Sequence, residues 1–331
     1  MNLTNLSKAF LGQANFRIKQ AEKLMYVDLI EDWSQASVFP LSLRNNLNES
    51  FPLDIRSEIF VSQDGKSAKA IIFLNDEFQI ETALMVHGDG RNTACLSSQV
   101  GCPLACRFCS SGKSFKRNLS VDEILIQALY WSRYLNKKGI GRLSNIVFMG
   151  SGEPFLNYNN VFKAISYLNN PDYFNISSRR VSISTIGITE GIRKMSNEKN
   201  KVNLAVSLHF TDDKIRAKYM PGTKSYSLGK VFESVDYYIK KTNRKVMFEY
   251  MLLDSINDSK RDAEILAVLM KKPLYAVNLI KYNDTGSFRA SSTKKMLVFR
   301  GVLRNRGVEV IERYRFNEDV SGACGQLTSK N

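Results

Sequence analysis

Cys95-Leu-Ser-Ser-Gln-Val-Gly-Cys102-Pro-Leu-Ala-Cys106-Arg-Phe-Cys109-Ser-Ser-Gly112 holds four of the five cysteines in this 331-residue chain, the last three in a C-x3-C-x2-C cluster. Thiolates so close in sequence can converge on one inorganic centre without help from distant elements. Three of them do not close a site: structural zinc usually takes four protein ligands, and an iron–sulfur cluster held only by protein takes four cysteines. The spacing therefore suggests an iron left open to something that is not protein. Zinc is the alternative, with a fourth ligand from His87, His209 or Cys324.

Working outward, residues 93–97 read as a strand leading into the cysteine loop, and beyond it strand and helix alternate. Short β-rich runs fall at 145–149, 181–184, 202–207, 245–251 and 275–280, with helical stretches near 120–137, 158–168, 187–196, 228–241 and 258–271 between and after them. A helix near 291–305 and a strand near 308–314 complete the pattern. The first helix opens on Ser120-Val-Asp-Glu123, a capping box that satisfies two otherwise unpaired amides. Such alternation implies a parallel sheet with right-handed crossovers. Six strands, fewer than the eight of a closed barrel, predict an α/β fold with an open partial (β/α)6 barrel.

Ligands of parallel α/β folds bind where strands end, and the distinctive residues follow the strands. After the cysteine loop come Gly150-Ser-Gly-Glu-Pro154, Ser184-Thr-Ile-Gly187 and Ser207-Leu-His209. Gly152 permits close backbone approach and positive φ, and Glu153 offers a charge that could bind an ammonium group. Ser184, Ser207 and His209 can hydrogen-bond ribose or carboxylate, although His209 could equally cap a backbone carbonyl.

Residues 1–55 have helical periodicity, with Arg17, Lys19 and Lys23 between apolar positions and breaks at Pro40 and Pro52. Runs at 59–62, 68–74 and 78–86, separated by Asp64-Gly65 and Asn75-Asp76, read as an antiparallel extension. The expected division is a small helical accessory domain over 1–55, the β extension over 56–90, the barrel core over 91–315 and a tail over 316–331. In that tail Ser321, Gly322, Ala323 and Gly325 surround Cys324 with little bulk, so it can bend and carry a thiol into a cavity.

A net charge of +15 favours polyanionic partners, nucleic acid above all. No apolar run approaches the roughly 20 residues that span a bilayer, and the start lacks the layout of a secretory signal. An odd number of cysteines, most in one loop, is no disulfide framework. These features predict a cytoplasmic protein without a membrane partner.

Phe108 directly precedes the third cysteine, and C-x3-C-x-Phe-C resembles the cluster motif of radical S-adenosylmethionine (SAM) enzymes. There SAM binds the fourth iron, and an electron from the 4Fe-4S cluster breaks its sulfonium bond to release a 5′-deoxyadenosyl radical. The loop from Cys95 to Cys109, the Gly-Glu-Pro turn, Ser-Thr-Ile-Gly, Ser-Leu-His and Ala-Cys-Gly-Gln-Leu also follow the order and spacing of the RlmN/Cfr family, dual-cysteine radical methyltransferases of large-subunit ribosomal RNA. The resemblance covers nearly the whole chain.

The resemblance implies that Cys102, Cys106 and Cys109 hold the cluster, and that Gly152, Glu153, Ser184, Ser207, Leu208, His209 and Asn283 line the SAM site. It implies that Cys324 accepts a methyl group from one SAM, and that the radical from a second abstracts hydrogen from it before carbon–carbon bond formation with adenine. Cys95 then helps resolve the protein–RNA adduct, and Glu81 resembles the family's proton acceptor. Radical addition is needed because adenine carbon 2 or carbon 8 is not nucleophilic enough to attack a sulfonium methyl. The implied partners are 23S ribosomal RNA, transfer RNA as a second candidate, and an electron donor such as flavodoxin or ferredoxin. Methylation at carbon 2 is the favoured reading. Carbon 8 chemistry, a diverged radical enzyme and a zinc-stabilised RNA-binding protein without catalysis are the alternatives.

Overall fold

The computed structural model describes residues 6–10, 12–312 and 322–327. Helices α1 (Leu6–Ala9), α2 (Asn15–Tyr26) and α3 (Leu41–Ser50) come first, followed by strands β1 (Ser57–Val61), β2 (Ser67–Phe73), β3 (Gln79–Val86) and β4 (Asn92–Cys95). The cysteine loop is framed by β5 (Gln99–Gly101) and β6 (Phe115–Asn118). The remaining elements are α4 (Val121–Lys138), β7 (Asn145–Phe148), α5 (Tyr158–Asn169), β8 (Val181–Thr185), α6 (Thr189–Ser196), β9 (Asn203–Ser207), α7 (Asp213–Tyr219), α8 (Leu228–Thr242), β10 (Val246–Leu252), α9 (Lys260–Leu269), β11 (Tyr275–Lys281), α10 (Thr293–Asn305) and β12 (Glu309–Glu312).

The main sheet has the order β1-β2-β3-β4-β7-β8-β9-β10-β11-β12, open at both ends among the described residues. From β4 to β12 every neighbouring pair is parallel. The open partial barrel is therefore present, with β12 as a further parallel strand where one was expected near 308–314. Residues 313–315 of the core and 316–321 and 328–331 of the tail lie outside the described residues.

The antiparallel extension is not a sheet of its own. β3 pairs with β4 from Ala83↔Cys95 to Val86↔Asn92, so β1–β3 prolong the barrel wall. Pattern reading had no signal for α7, too short to show a period, or for the β5–β6 hairpin, whose strands lie inside the loop the cysteines define.

Strand alternation divides the wall into two faces. Ala94, Ile146, Ile183, Leu204, Phe248 and Val277 are all buried in the main hydrophobic core; Phe248 meets Phe232 of α8, which marks this as the helix-facing side. The other face carries Cys95, Ser184, Ser207 and Glu249. Packing of α4 fixes the extension: the capping box at Ser120 and Glu123 is present, and Trp131 donates from Nε1 to Thr82 Oγ1 at 3.0 Å. The buried Arg133 guanidinium donates to the carbonyls of Leu53 at 2.7 Å and of Ile30, anchoring the N-terminal helices to the same helix. No described helix is long and apolar enough to cross a membrane.

Candidate active site

The cysteine loop leaves β4 at the carboxyl end of the sheet and is pinned at several points. Cys102 donates its amide to Ser114 O at 2.9 Å, and Arg107 donates its amide to Tyr219 O of α7 at 2.9 Å. Gly112 is pressed against the loop from within, since a Cβ there would stand 2.9 Å from the Cys106 nitrogen. Burial pushes the Cys102 thiol up to about 12, against a hydrogen bond from the Leu104 amide, with the Cys109 charge adding to it. Burial also raises the Cys106 thiol well above its ordinary value, and the charges of Cys109 and Cys102 add to that. Cys109 is raised by burial, while the Ser111 and Gly112 amides oppose it.

Three neighbouring buried thiols, two of them supplied with amide donors, suit a thiolate-held cluster, whose sulfurs take such hydrogen bonds. Among the described residues no three His, Cys, Asp or Glu side chains are gathered as a single metal ion requires. A cube of iron and sulfide instead binds each thiolate through a different iron. His87 is turned elsewhere: it lies at the amino end of β4, where Nε2 meets Thr93 Oγ1 at 3.0 Å.

The turn after β7 packs under the cysteine loop. Gly152 has φ +104°, and a Cβ there would lie 2.6 Å from Gln99 Cβ and 2.8 Å from the Gln99 nitrogen, so only glycine fits. Glu153, only 2 % exposed, accepts from the Phe155 amide at 3.0 Å and the Ile186 amide at 2.9 Å. Burial lifts its carboxyl to about 7 against these bonds. Through these two bonds Glu153 braces the loop after β7 against the loop after β8.

Ser184 and Ser207, on neighbouring parallel strands, bring their hydroxyl oxygens to 3.1 Å. Leu208 is different: its side chain is fully buried in the core, so only its backbone is available to the loop. His209 has φ +55°, held by Asn257, which donates to its carbonyl at 2.7 Å. Its Nδ1 accepts from the Met251 amide at 3.2 Å, so it caps an amide where a carbonyl was considered. Burial, with the Arg216 charge adding, holds the ring near 3 and hence neutral. The proton then resides on Nε2, beside Phe108, whose ring meets the imidazole edge-on at 5.2 Å.

The described tail, 322–327, docks on this assembly. Ser110 donates its amide to Gly325 O at 2.8 Å, Ser111 Oγ donates to Leu327 O at 2.5 Å, and Asn283 Nδ2 donates to Cys324 O at 3.1 Å. Gln326 reaches Asp284 O at 2.9 Å. Leu327 packs against Cys95 and Ala83. One six-residue turn thus bridges the cysteine loop, the loop after β11 and the Cys95 strand. Glu81, two residues before Ala83 and on the same face of β3, forms a buried ion pair with Lys69 at 3.2 Å.

Comparison with known proteins agrees with this geometry. The Radical SAM superfamily matches residues 96–266. A relative from Dictyoglomus thermophilum named "Probable dual-specificity RNA methyltransferase RlmN" is 38% identical over 319 residues, covering 96% of this chain and 91% of its own. Another from Protochlamydia amoebophila, "Probable dual-specificity RNA methyltransferase RlmN 2", is 39% identical over 321 residues, covering 96% and 89%. The chain belongs to the RlmN family of radical SAM enzymes. A crystal structure of a radical SAM methyltransferase from Sphaerobacter thermophilus superposes with a TM-score of 0.93 at 35% identity, covering 99% of this chain and 97% of that one.

Membership in the RlmN family brings a 4Fe-4S cluster and SAM as cofactors. Two RlmN-fold residues escaped sequence reading. Arg216, fully buried, donates to the carbonyls of Leu208 at 3.3 Å, Tyr226 at 3.0 Å, Ser207 at 3.3 Å and Ile186, lacing together the loops after β8 and β9. Asn257 fixes His209. Neither stands in a motif, and a lone arginine or asparagine in a polar stretch gives no signal of burial.

The Gly152 contact carries an expected outcome. Gly152→Ala must relieve a clash with the Gln99 backbone and hold alanine at φ +104°, a cost of about 1–3 kcal/mol before any rearrangement. Thermal unfolding should show a midpoint lower by several degrees, with SAM affinity reduced in parallel. An unchanged midpoint would mean that the Gly-Glu-Pro turn is not held as described.

Proposed function

We propose that this chain methylates an adenine ring carbon of 23S ribosomal RNA, carbon 2 in preference to carbon 8, with transfer RNA as a second substrate. The observation that carries this reading is the docked tail, which places the Cys324 turn on the cysteine loop and against Cys95. A radical enzyme that merely cleaved SAM would have no use for two further thiols there. The relatives' RNA methyltransferase names support the substrate class.

The cluster, once loaded, supplies the electron that converts SAM into a hydrogen-abstracting radical. Cys102, Cys106 and Cys109 are assigned to hold it, and Gly152, Glu153, Ser184, Ser207, His209 and Asn283 to line the SAM pocket, with Leu208 contributing backbone alone. Cys324 takes the methyl group as a thioether and presents it to the adenine, and Glu81 accepts the proton that leaves the ring carbon as a loaded cluster would take back the accompanying electron. Cys95 forms a disulfide with the Cys324 sulfur as the sulfur–carbon bond breaks, its electron pair staying on the product carbon, which takes up a proton. Lys69 keeps the Glu81 carboxylate facing the Cys95 side of the wall.

The helical segment 1–55, which precedes the extension 56–90 in the chain and packs on α4, is assigned to RNA contact together with the excess of basic residues. A reduced flavodoxin or ferredoxin in the cytoplasm is the proposed electron source. Mass spectrometry of 23S and transfer RNA from cells with and without the gene tests the reading. It expects 2-methyladenosine present only with the protein; 8-methyladenosine would select the alternative regiochemistry, and no RNA difference would overturn the substrate.

A further inference from the structure

Apolar residues at a sheet edge are costly to leave open, because an edge strand recruits other chains. Yet β1 forms an edge of the main sheet and exposes Ile59, Phe60 and Val61 in succession, at 39 %, 41 % and 45 %. Phe60 is in register with Lys69, Lys69 with Ala83, and Ala83 with Cys95. Directly paired residues share a face, so one row of side chains leads from the exposed ring to the proposed product-releasing thiol. Three strand spacings of about 4.8 Å make the row at most roughly 14 Å long. Lys69 Nζ lies 5.3 Å from the Phe60 ring centre and 3.2 Å from Glu81 Oε1.

We infer that Phe60 is a stacking shelf for an RNA base next to the adenine that reaches Cys95. This rests on the RNA substrate proposed above. An adenine must leave its stack to expose a ring carbon to chemistry inside a barrel, and its neighbours then lose a stacking partner. An aromatic ring restores one for any base. A chain charge of +15 favours the nucleic acid over a second protein strand. Glu58 lies on the same face of β1 as Phe60, two residues away, and its charge repels phosphate, so the shelf takes a base and leaves the backbone outside.

Trp33 and Trp131, the native tryptophans, are fully buried and so shielded from contact with RNA, and quenching that the indole introduced by Phe60→Trp shows and the unaltered chain lacks reports on this position. With cluster-loaded enzyme, an RNA fragment carrying the target adenine should quench that indole, and Phe60→Trp should keep wild-type KM. Phe60→Ala and Phe60→Leu should each raise KM for RNA by roughly 5- to 100-fold while SAM cleavage without RNA is unchanged. Leucine separates stacking from plain apolar area. Unmoved KM values and an unquenched indole in an enzyme that binds and methylates RNA would overturn the shelf alone. Failure of the unaltered chain to bind RNA would overturn the substrate reading and the shelf with it. A dimer in sedimentation that RNA does not dissolve, and that Phe60→Ala abolishes, would assign the edge to a second copy.

Discussion

Cys95→Ala enzyme isolated from cells should carry RNA covalently attached through Cys324, whereas Cys324→Ala should carry none. The asymmetry follows from the order of events. A methyl carrier acts before the carbon–carbon bond forms, so its loss leaves nothing to couple. A releasing thiol acts after, so its loss traps the adduct. Cys95 suits the later role: it is buried in the wall on β4, in contact with Leu327 of the tail turn, so it meets the tail without belonging to it. Denaturing electrophoresis before and after nuclease reads the result as an RNA-dependent mass shift, expected in most of the Cys95→Ala protein and absent from Cys324→Ala. Methylated product should fall to background in both. Shifts of equal size in the two variants, or wild-type product from either, would show that these thiols do not divide the work in this way.

Cys102→Ala, Cys106→Ala and Cys109→Ala should each lose the cluster and, with it, all reductive cleavage of SAM. Cys102, Cys106 and Cys109 are the three thiols assigned to hold the cluster, and the loop between β5 and β6 has no further cysteine or histidine to take over from one of them. His87 faces the far end of β4, and His209 already spends Nδ1 on the Met251 amide. Anaerobic reconstitution followed by iron and sulfide analysis should give close to four of each per wild-type chain, as a 4Fe-4S cluster requires, and a small fraction of that in each variant. The fold should survive, because the loop is tied through backbone groups of Cys102, Arg107 and Ser110. A full iron complement with normal turnover in any single variant would remove that residue from the ligand set, and stoichiometric zinc in its place would revive the zinc reading.

The sequence by itself determined the parts of this protein whose physics is local. Short β-rich runs alternating with helical ones admit one architecture, a parallel sheet with helices outside, and the helix boundaries follow because caps such as Ser120 and Glu123 act within a single turn. Three cysteines within eight residues marked the candidate metal-binding loop in the same way, since no distant element is needed to bring them together. Placing the other motifs after strand ends nominated a candidate site without any tertiary information.

What only the tertiary structure decided depends on pairing across long separations. That β1–β3 continue the barrel wall follows from the register of Ala83 with Cys95, and a pattern of alternation cannot name its partner strand. The ion pair between Lys69 and Glu81, and the row from Phe60 to Cys95, exist only once that register is set. Arg216 looks like any surface arginine until four carbonyls from three separate chain segments surround it. Leu208 and His209 stand side by side in one motif, yet backbone alternation buries the first in the core and a left-handed residue turns the second toward Phe108. The tail is the plainest case: its small residues announce that Cys324 can be carried somewhere, and only the hydrogen bonds from Ser110, Ser111 and Asn283 specify where.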